Sequence, residues 1–406
     1  VKTYSIRLFP TAEQEKTLYR LSSIRCEIYN SLLQIQQRKY AETKKIFNRF
    51  DLINLLPTLK KEEANKHWSE LNSKAIQTIA TELSQNYQSF FSLIKKDNKA
   101  KPPREIDSTK FHSITFNQSG WAFRDNNIIV LNRISIKFKG QFDNVKDLPI
   151  KEVRLKLVNE KWLLDLVVDD KQIFSDKKEI STKVLALDLG LKRLATGVDN
   201  SGNQVIILNK SKKINKYFCK HIDKIKSKLS KKVKNSRSYK RLNNVKRELY
   251  KKKNVQIKQT LHTQSKKLVS MNYNTIVIGD LRVKKLIKKR NNSIKGIRKS
   301  FSESNISMFL SMLAYKSQAK QQSVIKINET HTTQLNCLTN KLFANKVDLT
   351  QREVEVAPGL VIDRDLNSAL NILKRYQDNH LASVNEPLVV TTNVLQSLIC
   401  RKPIIL

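Results

Sequence analysis

Four cysteines in 406 residues, Cys26, Cys219, Cys337 and Cys400, stand far apart, and no two form a Cys-x-x-Cys pair. That spacing supports neither a zinc knuckle nor a disulfide framework. No apolar run reaches the length of a membrane-crossing helix, no signal peptide opens the sequence, and no amphipathic anchor or lipidation motif is found. A cytoplasmic protein without a membrane partner is expected. Acids are the other scarcity. Only 36 Asp and Glu face 77 Lys and Arg, a formal net charge of +41. A compact chain with that excess repels itself unless a polyanion neutralises it. Nucleic acid is the natural polyanion, because each neutralised phosphate releases a counterion.

The length allows two to four domains. "KTYSIRLFP" alternates apolar and polar residues and reads as a strand. Thr11 with Gln14 three residues on resembles a capping box and opens a helical stretch over 11–96. Two prolines in "KDNKAKPPRE" end it. From about 109 to 172, "SITFNQSGWAF", "NIIVLNR", "SIKFKG" and "EVRLKLVNEKWLLDLVV" have the strand-turn spacing of a small barrel, with residues 2–9 as its first strand. A second unit starts near Lys183: the strand "VLALDLG", a hairpin in "LATGVDNSGNQVIIL", a long basic helical stretch over 209–270, and strand 275–280. A helix near 304–320, the strand "SVIKINE" and the helix "RDLNSALNILKRY" come next. This is a mixed α/β unit whose three-strand meander resembles the RNase H-like fold.

Asp188 lies inside an otherwise apolar strand, where an acid is costly unless it meets a metal or a donor. Asp363 and Asp365 sit at a helix start, where Asp is also simply a good cap. Two-metal phosphodiester chemistry needs a cluster of carboxylates, so these two stretches call for a third acid.

In order, "ALDLGLKRLATG", "TIVIGDLRVKKL" and "DRDLNSALNIL" resemble the three RuvC motifs of TnpB proteins, transposon-encoded RNA-guided nucleases related to type V CRISPR effectors. "KTYSIRLFPTAEQEKTLYRLSSIRCEIYNSLL" is similar to the amino-terminal helix-turn-helix-like motif of that family, and "NYQSFFSLIKK" before "PPREI" to its Phe-Phe helix and proline break. The resemblance covers about residues 1–376. It implies a fold of α/β plus small β-barrel class. A wedge-like β-barrel would occupy 1–10 and 104–180, with a helical recognition insert at 11–103. A RuvC-like RNase H fold would occupy 181–376, with a degenerate zinc-finger segment at 330–362 and a tail of unassigned role at 377–406.

Two departures stand out. The family has Glu-Asp-Leu after the second-motif strand; here it is Gly279-Asp280-Leu281, so Gly279 stands where the catalytic glutamate would be. Asp188 matches the first catalytic aspartate, and Asp365, with Asp363 nearby, the third. Asp280 should point to the opposite face unless a bulge at Gly279 turns it back. The family's four-cysteine zinc finger has also gone. Asn336 and Thr339 stand at the first pair, "EVAPGL" replaces the second, and Cys337 is one register off. No zinc is expected.

Residues 209–253 hold 19 Lys or Arg and two acids, Asp223 and Glu248, with Ile214, Phe218, Ile222, Ile225 and Leu229 at helical intervals. Residues 281–301 hold nine basic residues and no acid. Lys231, Lys232, Arg237, Lys240, Arg241, Lys284, Lys285 and Arg290 are the expected phosphate contacts, which position a duplex without reading it. Tyr29, Tyr40, Phe50, Trp68 and Tyr87 are expected in the core, with individual rings free to stack on bases.

The resemblance therefore implies binding kept and cutting lost: a nuclease-dead, RNA-guided transcriptional repressor acting by R-loop formation. Its partners would be a guide RNA and double-stranded target DNA beside a short flanking motif, in the nucleoid of a bacterial cytoplasm. No cofactor is expected, and Mg²⁺ is not required for binding. Two alternatives remain. One is an active or weakened RNA-guided nuclease in which Asp280 or another acid completes the site. The other is a DNA-binding transposon accessory factor that uses no RNA.

Overall fold

The structure is a computed structural model describing residues 2–95, 100–125, 127–140, 148–169, 182–281, 295–345, 347–348, 351–379 and 388–406. Two compact units divide the chain, 1–175 and 176–406. Among the described residues no helix is long and apolar enough to cross a membrane.

In the first unit, β1 (Lys2–Phe9) buries Ile6 and Leu8 on one face and is followed by helices. Thr11 and Gln14 form a reciprocal capping box at the start of α1 (Ala12–Thr43), each side chain bonding the other's backbone N–H. Asn48 does the same with Asp51 at α2 (Arg49–Lys61). A 3₁₀ segment (Glu63–Glu70) and α3 (Ser73–Ile94) complete the helices. The strands are β2 (Ile114–Phe116), β3 (Trp121–Asp125), β4 (Ile128–Leu131), β5 (Ile134–Lys139), β6 (Ile150–Val158) and β7 (Lys161–Val168). They pair antiparallel with β1 in the order β2-β6-β7-β1-β5-β4-β3. β1 lies between β5 and β7, so the whole helical stretch is inserted after the first strand of one nearly closed, barrel-like sheet. Helices and sheet share a core in which Ile28, Leu32, Leu83, Leu164 and Leu166 are buried. Tyr29, Trp68 and Tyr87 belong to it, whereas Tyr40 and Phe50 are exposed.

In the second unit, β8 (Val184–Leu189), β9 (Arg193–Asp199) and β10 (Gln204–Leu208) form an antiparallel meander. Two long helices, α4 (Lys210–Ser230) and α5 (Arg237–Ser270), lead to β11 (Thr275–Gly279). Then come α6 (Lys295–Glu303), α7 (Ile306–Ala319) and β12 (Ser323–Ile327). A hairpin of β13 (Glu353–Ala357) and β14 (Leu360–Asp363) runs into α8 (Arg364–Asn379). α9 (Thr392–Cys400) and β15 (Ile404–Ile405) end the chain. The sheet order is β12-β11-β8-β9-β10-β15, with β11 parallel to both β8 and β12. Along β8 the faces alternate. Leu185, Leu187 and Leu189 enter a core with residues of α5 and α7, while Val184 and Ala186 enter a second core with α8.

Two details differ from the expectations of the sequence. The basic stretch is not one helix: it breaks at 231–236, where Asn235 takes a positive φ of 68° and Ser236 caps α5. The tail, in which no motif is legible, supplies an edge strand, with β15 parallel to β10 and Leu406 buried.

Candidate functional site

Asp188 is next to last on β8, on the face that carries Val184 and Ala186 and is covered by α8. Its cross-strand partner is Thr196 on β9. The protein hems in Asp188 while part of its side chain still reaches solvent, and no hydrogen-bond donor reaches its carboxylate among the described residues. Opposite it, Thr196 Oγ1 is buried and has no hydrogen-bond partner among the described residues.

Gly279 ends β11. The register Ile278↔Leu187 makes Gly279 the next residue beside Asp188. Its partner across β12 is Ile327, in a ladder whose register does not shift between Thr275 and Gly279. The glycine is not there for its backbone freedom, since its φ lies outside the left-handed region. It is there for space. A Cβ at 279 would lie 2.6 Å from Glu329 Oε2, 3.0 Å from Glu329 Cβ and 3.2 Å from Ile372 Cδ1 of α8. Glu329, two residues beyond the end of β12, thus lays its carboxylate over the position that a side chain at 279 would occupy. Sequence reasoning missed this residue. The signal was present as an acid two residues past the strand "SVIKI", but nothing in one sequence says that its side chain bends back over the neighbouring strand.

Asp363 and Asp365 flank the start of α8, and Asp363 Oδ1 accepts from the Asp365 backbone N–H at 2.9 Å, so one of the two is indeed a cap. Guanidinium groups surround them. Arg193 reaches Asp363 at 2.9 Å, and Arg364 and Arg352 reach Asp365 at 3.2 and 3.5 Å. Burial first, then Asp365 and Glu329, push the Asp188 carboxyl well above its ordinary value, and Arg364 offsets only part of this. Burial and the neighbouring Asp280 raise Glu329 as well. Asp188 therefore feels the charge of Asp365, Glu329 and Asp363 at one end of the sheet.

On the surface of the same unit, α4 buries Phe218, Ile222 and Leu229 and packs against α5. Lys231, Lys232, Arg237, Lys240 and Arg241 cluster at the turn joining the two helices. All five are exposed, and none makes an ion pair among the described residues. Lys284, Lys285 and Arg290 lie outside the described residues.

Three sequence profiles match separate stretches. "Helix-turn-helix domain" matches 1–45, "Probable transposase" (OrfB_IS605) matches 165–290, and "Cas12f1-like, TNB domain" matches 307–372. Together they account for more than half of the chain. The chain belongs to the TnpB family. A Streptomyces pristinaespiralis protein named "Putative RNA-guided DNA endonuclease" is 24% identical over 376 residues, covering 92% of this chain and 88% of that protein. Two solved structures share the fold. "Cryo-EM structure of the Cas12f1-sgRNA-target DNA complex" has a TM-score of 0.58 at 14% identity, covering 89% of this chain and 83% of that one. "Structure of the mini-RNA-guided endonuclease CRISPR-Cas_phi3" has a TM-score of 0.55 at 11% identity, covering 95% and 93%.

In this TnpB-family chain the segment around Cys337, which has no Cys-x-x-Cys pair, is folded by hydrogen bonds among its described residues. The amide of Asn336 donates to the Val356 carbonyl at 2.8 Å, and its side-chain oxygen accepts from the Leu338 N–H at 2.9 Å. Gln334 makes a reciprocal pair with the Val347 backbone at 3.0 and 2.9 Å. From α8, Asn367 and Asn371 each donate to the Leu335 carbonyl at 2.7 Å. Cys337 is buried among apolar neighbours, and burial pushes its thiol up to about 12.

Proposed function

We propose that this chain is an RNA-guided protein that targets double-stranded DNA. A guide RNA pairs with one strand, and the protein reads a short flanking motif and holds the heteroduplex by its backbone. The observation that carries this is the exposed cationic cluster at the α4–α5 turn, without an ion pair among the described residues, on a chain of net charge +41. The family membership and the fold shared with a Cas12f1–RNA–DNA complex support it. In this reading the barrel is a wedge-like domain with a helical recognition insert. The second unit, whose sheet runs β15-β10-β9-β8-β11-β12 with β8, β9 and β10 antiparallel, is the RuvC-like body.

The fate of the bound DNA depends on the acidic site. Gly279 favours a nuclease-dead repressor whose R-loop blocks RNA polymerase. Glu329 over Gly279 supports the alternative, an RNA-guided endonuclease, because the space beside Asp188 holds another carboxylate.

The test begins with sequencing the RNA that copurifies with the protein. A defined RNA is expected, and a target matched to its guide segment should be bound far more tightly than an unmatched one. High-affinity choice of one DNA site by RNA-free protein would overturn the reading and leave an accessory DNA-binding factor.

A further inference from the structure

The turn after β8, residues 190–192, frames a cavity of about 320 Å³ together with α4 and α6. Side chains pin its walls to one another. Asn209 caps α4 by accepting from the Lys212 N–H, and its amide donates to the Leu191 carbonyl at 3.0 Å. Buried Asn215 on α4 donates to the Glu303 carbonyl at the end of α6 at 2.9 Å. Lys212 and Lys216 line the cavity from α4 and Lys299 from α6, and Glu303 is the one acid among the described residues of the lining. None of the three lysines makes an ion pair among the described residues. The first turn of α4 holds no acid, although the helix dipole disfavours the cations that stand there. Lysines gathered around one cavity repel one another unless an anion joins them.

A second observation names the class of anion. One position beyond Lys216, Tyr217 is 61% exposed, and its ring centroid lies 4.5 Å from that of His221. The His221 Nδ1–H donates to the Tyr217 carbonyl at 2.9 Å, which fixes the pair on the surface of α4. A ring displayed among lysines offers a face on which a nucleic-acid base can stack. A base inside a duplex has both faces covered already, so this combination of ring and cations suits a single strand.

We propose that the cavity is a subsite for one phosphate of a single-stranded nucleic acid, held by Lys212, Lys216 and Lys299, with a neighbouring base stacked on Tyr217. The inference deepens the function proposed above and rests on its nucleic-acid part, not on a guide. Because the wall at 190–192 directly follows β8, a strand held here passes the end of the sheet that carries Asp188.

The test uses the full chain and its own thiols. Cys219 lines the cavity, and exposed Cys400 on α9 is the control. Maleimide labelling at pH 8 is followed by mass spectrometry of each cysteine peptide. After ribonuclease treatment, a ten-residue oligothymidylate should slow Cys219 about tenfold or more, by covering the thiol and by neutralising the cations that favour its thiolate, and leave Cys400 unchanged. Lys212→Gln, Lys216→Gln and Lys299→Gln together should abolish this protection. Tyr217→Ala should raise the oligothymidylate concentration needed by roughly 5- to 150-fold, whereas Tyr217→Phe should not change it. An abasic strand of the same length should protect less well and be indifferent to Tyr217→Ala. Equal labelling of Cys219 with and without the strand overturns the proposal. So does inorganic phosphate that protects at the same concentration, since the site would then hold an anion and no strand. With the copurified RNA left in place, slow labelling that ribonuclease relieves makes RNA the occupant. Fast labelling that slows only when a DNA strand is added makes it DNA. The oligothymidylate arm uses no guide, so loss of the RNA-guided reading and loss of this site are seen separately. Circular dichroism and melting of each variant exclude misfolding as the cause.

Discussion

The side-chain amide of Asn336 donates to the carbonyl of Val356 at 2.8 Å, tying the turn around Cys337 to the hairpin of β13 and β14. A neutral hydrogen bond here joins the two places where cysteine pairs would have stood. The hairpin behind it buries Val354, Val356 and Ile362 against α8.

Asn336→Ala should therefore destabilise the second unit. It leaves a backbone carbonyl and a backbone N–H without their partner, a cost of about 1–3 kcal/mol. For a unit of this size each kcal/mol lowers the melting temperature by roughly 2–4 °C. Elemental analysis of the wild type should find no stoichiometric zinc. About one zinc per chain would contradict a segment held by hydrogen bonds alone.

Gly279→Ala should be destabilising for a reason that lies 50 positions away. The added Cβ meets Glu329 and must displace it, an overpacking cost of about 1–3 kcal/mol. In a Glu329→Gly background the same substitution should cost much less. A double-mutant cycle by denaturant unfolding reads the difference, and simple additivity would show that Glu329 does not occupy that space.

Asp188 makes stability depend on pH. Burial, then Asp365 and Glu329, raise its carboxyl in the fold, so the folded state keeps a proton that the unfolded chain has already lost. The stability it contributes is complete below the unfolded value of about 3.9 and is lost as pH rises through the folded one. Asp188→Asn should thus melt higher than wild type at pH 8 without divalent ions. The gap should close as pH falls toward 4. A gap that widens on acidification would mean that the fold lowers this carboxyl rather than raising it.

Thiol labelling should separate the cysteines. Cys400 is exposed, while Cys26 and Cys337 are buried, with thiols raised by desolvation. Cys400 should react with a disulfide reagent at pH 8 within the mixing phase of native labelling. Cys337 should react only on unfolding. Fast labelling of Cys337 would mean that its segment is open.

Neutralising Lys231, Lys232, Lys240 and Arg241 together should weaken matched and unmatched DNA alike. Each lost phosphate contact flattens the slope of log K against log salt by about 0.9 on duplex DNA. A change in which sequence is chosen would be inconsistent with phosphate contacts, which carry no sequence information.

By itself, the sequence determined what is local or summed. Charge is additive, so the cationic excess is visible without coordinates. The capping box of Thr11 and Gln14 spans one helical turn, and alternation along "VLALDLG" sorts Asp188 to one face, because both obey backbone periods. The split of the basic stretch at Asn235 escaped the pattern, because helix-forming residues lie on both sides of a short turn. The edge strand Ile404–Ile405 escaped it because two residues carry no periodicity. The tertiary structure alone decided the meaning of Gly279. In sequence it is an absence, a carboxylate missing from a motif. In space it is the room that Glu329 needs, and only the pairing of β11 with β12 brings together two residues 50 positions apart. A side chain's reach across strands depends on register and on which neighbour leaves space, and neither is written in the order of residues along one strand.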